Sequence, residues 1–248
     1  MSLQGKTIIA HQFEHGTPLA RQVYGHLHDR ICALELKPYE MLSEKRISEE
    51  LGVSRTPVRE ALARLAEHRL VDILPQRGTF VAPLRVMELE RSQFMREGIE
   101  LALLRRAIAA PDRSGLVERL RNEIRLQVAF CEIGDIDRFY ASDEDFHGHF
   151  ASFADLPFIL DEIRRVKMHM DRFRRLMIGS TDSLRAVVEQ HERIADAIER
   201  GDLANAEEVM LYHLRRVFAH LDDTASRFPH YIEPGSDRLR SAASTRGP

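Results

Sequence analysis

A chain of 248 residues with 44% apolar side chains can bury one large core or two smaller ones, and a change of pattern near residue 83 favours two. The net charge of -3 excludes a uniformly basic nucleic-acid coat: residues 1–83 carry 11 Lys and Arg against 10 Asp and Glu, so only a local face is left to meet phosphates. With only Cys32 and Cys131 there is no disulfide framework or paired-cysteine metal knuckle, and no apolar run approaches the roughly 20 residues that span a bilayer, so a soluble protein of a reducing cytoplasm, without membrane contact, is expected.

Residues 1–15 show no periodicity and are expected to be a flexible N-terminus. Leu19, Val23, Leu27, Ile31 and Leu34 recur at helical spacing, and Lys37-Pro38 is the expected stop. A short second helix is predicted from Ser43, a candidate N-cap, to Leu51, closed by Gly52. A third starts at Ser54, places Pro57 in its first turn and buries Val58, Ala61, Leu62 and Leu65. Val71–Leu74 and Thr79–Val81, separated by Pro75-Gln76-Arg77-Gly78, read as a hairpin. Three helices and a hairpin over 16–83, with a tight turn between the second and third helices, make a winged helix-turn-helix.

Beyond Pro83 the pattern becomes that of long amphipathic helices: six, near 86–109, 113–133, 136–154, 157–178, 182–200 and 203–227, broken at Pro111, Gly134, Pro157, Gly179 and Gly201. The short connections imply an all-α antiparallel six-helix bundle over 84–228, and the fold class is therefore mainly α. Residues 229–248, rich in Pro, Gly, Ser and Ala, are expected to form a flexible tail.

A helix that reads DNA must offer polar and cationic side chains from its first turns while its other face packs inward. Arg55 and Arg59 are one turn apart near such an N-terminus, where backbone N–H groups also favour a phosphate. Each guanidinium can grip guanine O6 and N7. Lys45 and Arg46 are candidates for the flanking backbone, and Arg77-Gly78 at the hairpin tip for the minor groove. Taken in order, Leu51-Gly52-Val53-Ser54-Arg55-Thr56-Pro57-Val58-Arg59-Glu60-Ala61-Leu62 and Gln76-Arg77-Gly78-Thr79-Phe80-Val81 resemble the GntR family of regulators over about 65 residues, Leu19 to Pro83. The resemblance implies DNA contacts at Lys45, Ser54, Arg55, Thr56, Arg59 and Gly78. It departs at Ala66-Glu67-His68-Arg69-Leu70, where the family usually keeps glycine at the position of Arg69.

Asp143 and His147 are one helical turn apart, which puts a carboxylate and an imidazole on one face. His191 and His213 lie 10 and 12 residues from the Gly201 turn, so in an antiparallel pair they reach nearly the same level. One Asp and three His suit Zn, Ni, Mn or Fe, with Zn the ion to expect on purification. His149 should point elsewhere, and His169 and His220 lack partners at matching positions.

Asp143-Glu144-Asp145-Phe146-His147, Gln190-His191-Glu192-Arg193-Ile194-Ala195-Asp196-Ala197-Ile198 and His213-Leu214 resemble the three metal-bearing segments of the FCD domain that accompanies one GntR branch, and six helices are similar to its VanR-like subgroup. The resemblance implies that Arg96 lines an effector pocket and that the effector is a small carboxylate, one oxygen on the metal and another on an arginine. Arg172 on the fourth bundle helix is either a second clamp or a surface ion-pair partner. Ala154-Asp155-Leu156 replaces the Gly-Asn that the family often has there.

Two rivals exist. A di-iron enzyme needs two Glu-x-x-His motifs where only Glu144–His147 supplies one, and neither His-Glu-x-x-His nor Gly-x-Ser-x-Gly occurs, leaving a mononuclear metal enzyme without a reason for its DNA-reading helix. In the second, the metal itself is the signal. The expectation is a non-enzymatic regulator, a homodimeric repressor of a palindromic double-stranded operator, modulated by a carboxylate at the metal site.

Overall fold

The computed structural model describes residues 16–177, 181–219 and 221–233. The expected N-terminal flexible segment and the tail beyond Glu233 lie outside them, as does His220. The chain divides into two compact units, residues 1–86 with 227–248, and residues 87–226.

The first unit begins with α1 (Leu19–Cys32), which buries Val23, Leu27 and Ile31 as the spacing requires. Leu34 does not continue the helix: it takes φ 60°, and the amides of Glu35 and Leu36 both return to the Arg30 carbonyl, so the helix closes on its own turn before Pro38 is reached. α2 (Glu44–Leu51) is capped by Ser43, whose hydroxyl accepts from the Arg46 amide at 3.4 Å, and ends at left-handed Gly52. α3 (Arg55–Glu67) buries Val58, Ala61, Leu62 and Leu65. Ser54 holds its N-cap position without a side-chain cap bond.

The hairpin is β2 (Val71–Leu74) and β3 (Gly78–Val81), paired Val71↔Val81 to Leu74↔Gly78. A further strand, β1 (Met41–Leu42), adds to the outer edge of β3 and gives the order β1-β3-β2. At two residues it is too short to leave a period in the sequence. Residues 229–233, expected within the flexible tail, instead bridge to the same unit: Leu84 N–H donates to the Tyr231 carbonyl at 2.9 Å, and Glu233 N–H to that of Leu84 at 3.0 Å. Ile232 is buried there, and Arg85 reaches both Asp72 and Glu233.

Arg69 has φ 58°, left-handed, where only glycine sits without a Cβ penalty. That conformation costs an L-residue about 1–2 kcal/mol, against about 0.5–1 kcal/mol of extra chain entropy for glycine. Arg69→Gly is expected to stabilise this unit by roughly 0.5 kcal/mol in urea unfolding, and Arg69→Val to destabilise it. A glycine variant less stable than wild type would contradict the strain.

The second unit consists of α4 (Val86–Ala109), α5 (Ser114–Ile133), α6 (Ile136–Phe153), α7 (Ile159–Met177), α8 (Thr181–Arg200), α9 (Leu203–Ala219) and α10 (Leu221–Arg227). The expected last helix is thus described in two pieces, on either side of residue 220. Leu104, Leu116, Leu120, Phe139, Phe146, Ile194 and Ile198 form the centre of its core. Among the described residues no helix is long and apolar enough to cross a membrane.

Candidate metal centre and nucleic-acid interface

In the first unit, α3 turns its apolar stripe inward and leaves Ser54, Arg55, Thr56 and Arg59 exposed. Lys45 and Arg46 are exposed on α2, and Arg77 and Gly78 at the wing turn, where Gly78 takes φ 112°. Among the described residues Arg46, Arg55 and Arg77 make no ion pair, so three guanidinium groups face water un-neutralised. Arg59 is different: its Nε donates to Glu44 Oε2 at 2.7 Å, an exposed bond that exchanges cheaply for a nucleic-acid acceptor. Lys45 has only a 3.9 Å contact with Glu49.

In the second unit α6 supplies Asp143 and His147, α8 His191 and α9 His213; all four are buried, and one ligand atom from each lies within 4.8 Å of the others. His147 Nε2 is 3.1 Å from His213 Nε2, which is 3.4 Å from His191 Nε2, and that atom is 3.6 Å from Asp143 Oδ1. The outward-facing atoms each lie against a polar group, by a hydrogen bond for His191, His213 and Asp143 and by a close contact without hydrogen-bond geometry for His147. His147 Nδ1 lies 2.5 Å from Glu100 Oε2, His191 Nδ1 2.7 Å from Gln127 Oε1, His213 Nδ1 3.0 Å from Gln190 Oε1, and Arg174 Nη2 2.9 Å from Asp143 Oδ2. Acceptor oxygens on Nδ1 fix the tautomers of His191 and His213, and the Nε2 atoms of all three rings and a carboxylate oxygen gather round one point. Phe146 stacks on His191 with centroids 3.9 Å apart and holds the ring's plane.

The electrostatics point the same way. Burial pushes His191 down to about 3 and His213 well below the ordinary imidazole value, so both rings are neutral ligands at neutral pH. Burial alone would raise Asp143, but Arg174, followed by His147, His191 and Lys167, outweighs it and holds the carboxyl well below its usual range. Glu100 behaves alike: Arg96 and His147 overcome its desolvation and lower it to about 2. Asp143 Oδ1 is nevertheless a buried atom without a hydrogen-bond partner. An unpartnered carboxylate oxygen facing three imidazole lone pairs fits a divalent cation, and the residues present therefore suit the group.

Beside the cluster is a cavity of about 100 Å³, lined by Arg96, Tyr140, Asp143, Arg174, His213 and Arg216 among others. Arg96 is buried; its Nε donates to Glu100 Oε1 at 2.5 Å, while Nη2 is buried without a partner. Arg172 is fully buried but is not part of this lining; the arginine of α7 on the cavity is Arg174, which also lies over the Tyr140 ring at 4.5 Å. Sequence reasoning missed Glu100, Gln127, Gln190 and Arg174. Glu100 had a signal, since it lies one turn from Arg96. His149 turns to Glu123 at 3.3 Å, and His169 is buried outside the cluster.

A winged helix-turn-helix in a chain that also carries a helical bundle with a buried Asp/His₃ cluster is the architecture of a DNA-binding regulator. Residues 19–81 match the gntR family of bacterial regulatory proteins and residues 93–216 the FCD domain. The chain is 33% identical over 216 residues, 84% of its length and 87% of the relative's, to an HTH-type transcriptional regulator in an unstable DNA locus of Streptomyces ambofaciens. It is 32% identical over 200 residues, 81% of its length and 87% of the relative's, to the HTH-type transcriptional repressor RspR of Escherichia coli K12. Among solved structures it resembles a GntR transcriptional regulator from Rhodococcus sp. RHA1, with TM-score 0.65, 26% identity and 82% and 97% of the two chains covered. E. coli McbR/YncC shares the fold at TM-score 0.67 and 21% identity, with 84% and 98% covered. The chain belongs to the GntR family, in the branch that carries an FCD domain. It is a DNA-binding transcription regulator and not an enzyme.

Proposed function

We propose that the protein is a homodimeric repressor of a palindromic operator, and that a small carboxylate bound at a divalent metal in the helical unit changes its affinity for DNA. One observation carries the reading. Asp143 and Arg96 both line the cavity, and each has a buried atom without a hydrogen-bond partner, of opposite sign: Asp143 Oδ1 calls for a cation, and Arg96 Nη2 for an anion. A carboxylate between a metal and a guanidinium satisfies both, with direction. Asp143, His147, His191 and His213 hold the ion, Zn, Ni, Mn or Fe, and Arg96 with Arg174 orients the acid. When bound, the metal supplies a Lewis-acidic coordination position for one carboxylate oxygen. Sensing of the metal alone is disfavoured because it leaves Arg96 Nη2 unmet.

On DNA, Arg55, Thr56 and Arg59 read base edges, Ser54, Lys45 and Arg46 hold phosphates, and Arg77 with Gly78 enters the minor groove. Repression is supported by the name of the RspR relative.

The test is a titration of the metal-loaded protein with short mono- and dicarboxylic acids. A matching acid is expected to raise Tm, by about 2.7 kcal/mol of stability at a hundredfold excess over Kd, and to shift operator affinity by about 1–3 kcal/mol. Chelator or Arg96→Gln should remove both effects. A protein indifferent to every acid would contradict the reading and leave the metal as the signal.

A further inference from the structure

The chain passes between its two units twice, at residues 86–87 and again at 226–227. Both passages run into one small pair of segments. Just before the first, Leu84 donates its N–H to the Tyr231 carbonyl and accepts from the Glu233 N–H, in a parallel bridge between Leu84 and Ile232. Both bridged side chains are buried. The pair is held in turn to the wing. Arg85 donates from Nη2 to Asp72 at 2.8 Å and from Nε to Glu233 at 3.0 Å, and Asp72 lies in β2, opposite Phe80 of β3. Ala82 N–H donates to the Leu70 carbonyl at 2.9 Å, and Val81 and Ala82 are fully buried, so the exit from the hairpin has no slack.

Each passage also leads along the chain into a helix that serves the metal cluster. α4, which starts at Val86, carries Arg96 and Glu100, and α9, followed by α10, carries His213. Glu100 Oε2 lies 2.5 Å from His147 Nδ1, and His147 Nε2 lies 3.1 Å from His213 Nε2, so the cluster links α4 to α9 through α6. A ligand that moves Arg96 or draws the imidazoles together changes the offset of these two helices. The ion pairs between them, Arg105–Glu207 and Glu97–Arg215, are partly exposed and follow such a change at little cost. We infer that residues 228–233 form a strap, bonded to the chain at Leu84 and Arg85, through which the metal site controls the wing. The inference rests on the metal-and-acid reading above and adds the route. A single flexible linker transmits little of a change in its neighbour, whereas two segments bonded side by side turn a slide of the helices they continue into shear on Arg85 and Asp72. The strap has two states, docked on Leu84 or released, and the hairpin that bears Arg77 and Gly78 is what the docked state holds.

The test uses the full chain, loaded with zinc or stripped by chelator. Operator affinity is read by fluorescence anisotropy, and amide exchange of the segment around Leu84 by hydrogen–deuterium mass spectrometry. In wild type the two forms are expected to differ at least about fivefold in operator affinity. Ile232→Asp releases the strap, and Glu233→Lys loosens it with less harm to the core by setting a cation against Arg85. Both variants should keep wild-type zinc content and a specific footprint and exchange around Leu84 at least about tenfold faster, while their loaded and stripped affinities fall within about twofold of each other. Faster exchange with the wild-type affinity ratio retained overturns the strap as the route and leaves the metal reading intact. Exchange unchanged in both variants overturns the docking itself. A wild type whose operator affinity is the same loaded and stripped, with or without the acids of the titration above, contradicts the regulated-site reading and takes the strap with it.

Discussion

Replacing His191 with alanine is expected to strip the helical unit of its metal while the winged unit still binds DNA. His191 is fully buried, its Nε2 joins the cluster, and Gln127 holds its Nδ1 at 2.7 Å. Losing only an outer partner of a metal ligand costs about 10–100-fold in metal affinity, and losing the ligand itself costs more. The ring also stacks on Phe146, so its removal leaves a void worth roughly 2–4 kcal/mol of stability in the helical unit. Gln127→Ala separates the two effects, because it keeps the ring and its stacking and loses only the oxygen on Nδ1; it should show the intermediate loss. Metal per chain by plasma mass spectrometry, and operator binding by fluorescence anisotropy with and without acid, are the readouts. A His191→Ala protein that purifies with one metal per chain and still answers to an acid would show that the cluster is not the site.

Arg59→Ala is expected to abolish the specific footprint and to leave metal content unchanged. A bidentate arginine–guanine contact is worth about 1–3 kcal/mol, and a two-fold operator loses it twice. Glu44→Gln is the informative control. It removes only the exposed 2.7 Å partner of Arg59, so operator affinity should hold or rise slightly as the guanidinium is released. Arg55→Ala should match Arg59→Ala, whereas Lys45→Ala should weaken binding about equally on all sequences and lower its salt dependence. A wild-type footprint retained by Arg59→Ala would remove α3 from the base-reading role.

What was legible in the sequence was local, or local on both sides of a turn. The N-cap at Ser43 and the buried stripe of α3 follow from spacing within one helix. His191 and His213, 10 and 12 residues from Gly201, meet at 3.4 Å because an antiparallel pair with a short turn leaves little freedom in its register. What stayed hidden depends on helices that are not sequence neighbours. Gln127 on α5 finds His191 on α8, and Arg174 on α7 finds Asp143 on α6, through bundle packing that no period encodes. Arg172 and Arg174 are two residues apart and lie on different faces of α7; only Arg174 reaches the cavity. The two departures from family pattern are instructive. Arg69 at φ 58° and Asp155 at φ 56° are both left-handed, so the backbone keeps the conformation that glycine or asparagine adopts easily even where neither is present.

Diffraction data on full-length protein purified without chelator, collected on either side of a metal absorption edge, test the central claim most directly. An anomalous peak is expected at about 2.0–2.2 Å from Asp143 Oδ1 and from the Nε2 atoms of His147, His191 and His213, with density for an acid reaching from it to Arg96 Nη2. Imidazoles closed on one another around a water, with Arg96 turned to a protein acceptor, would contradict it.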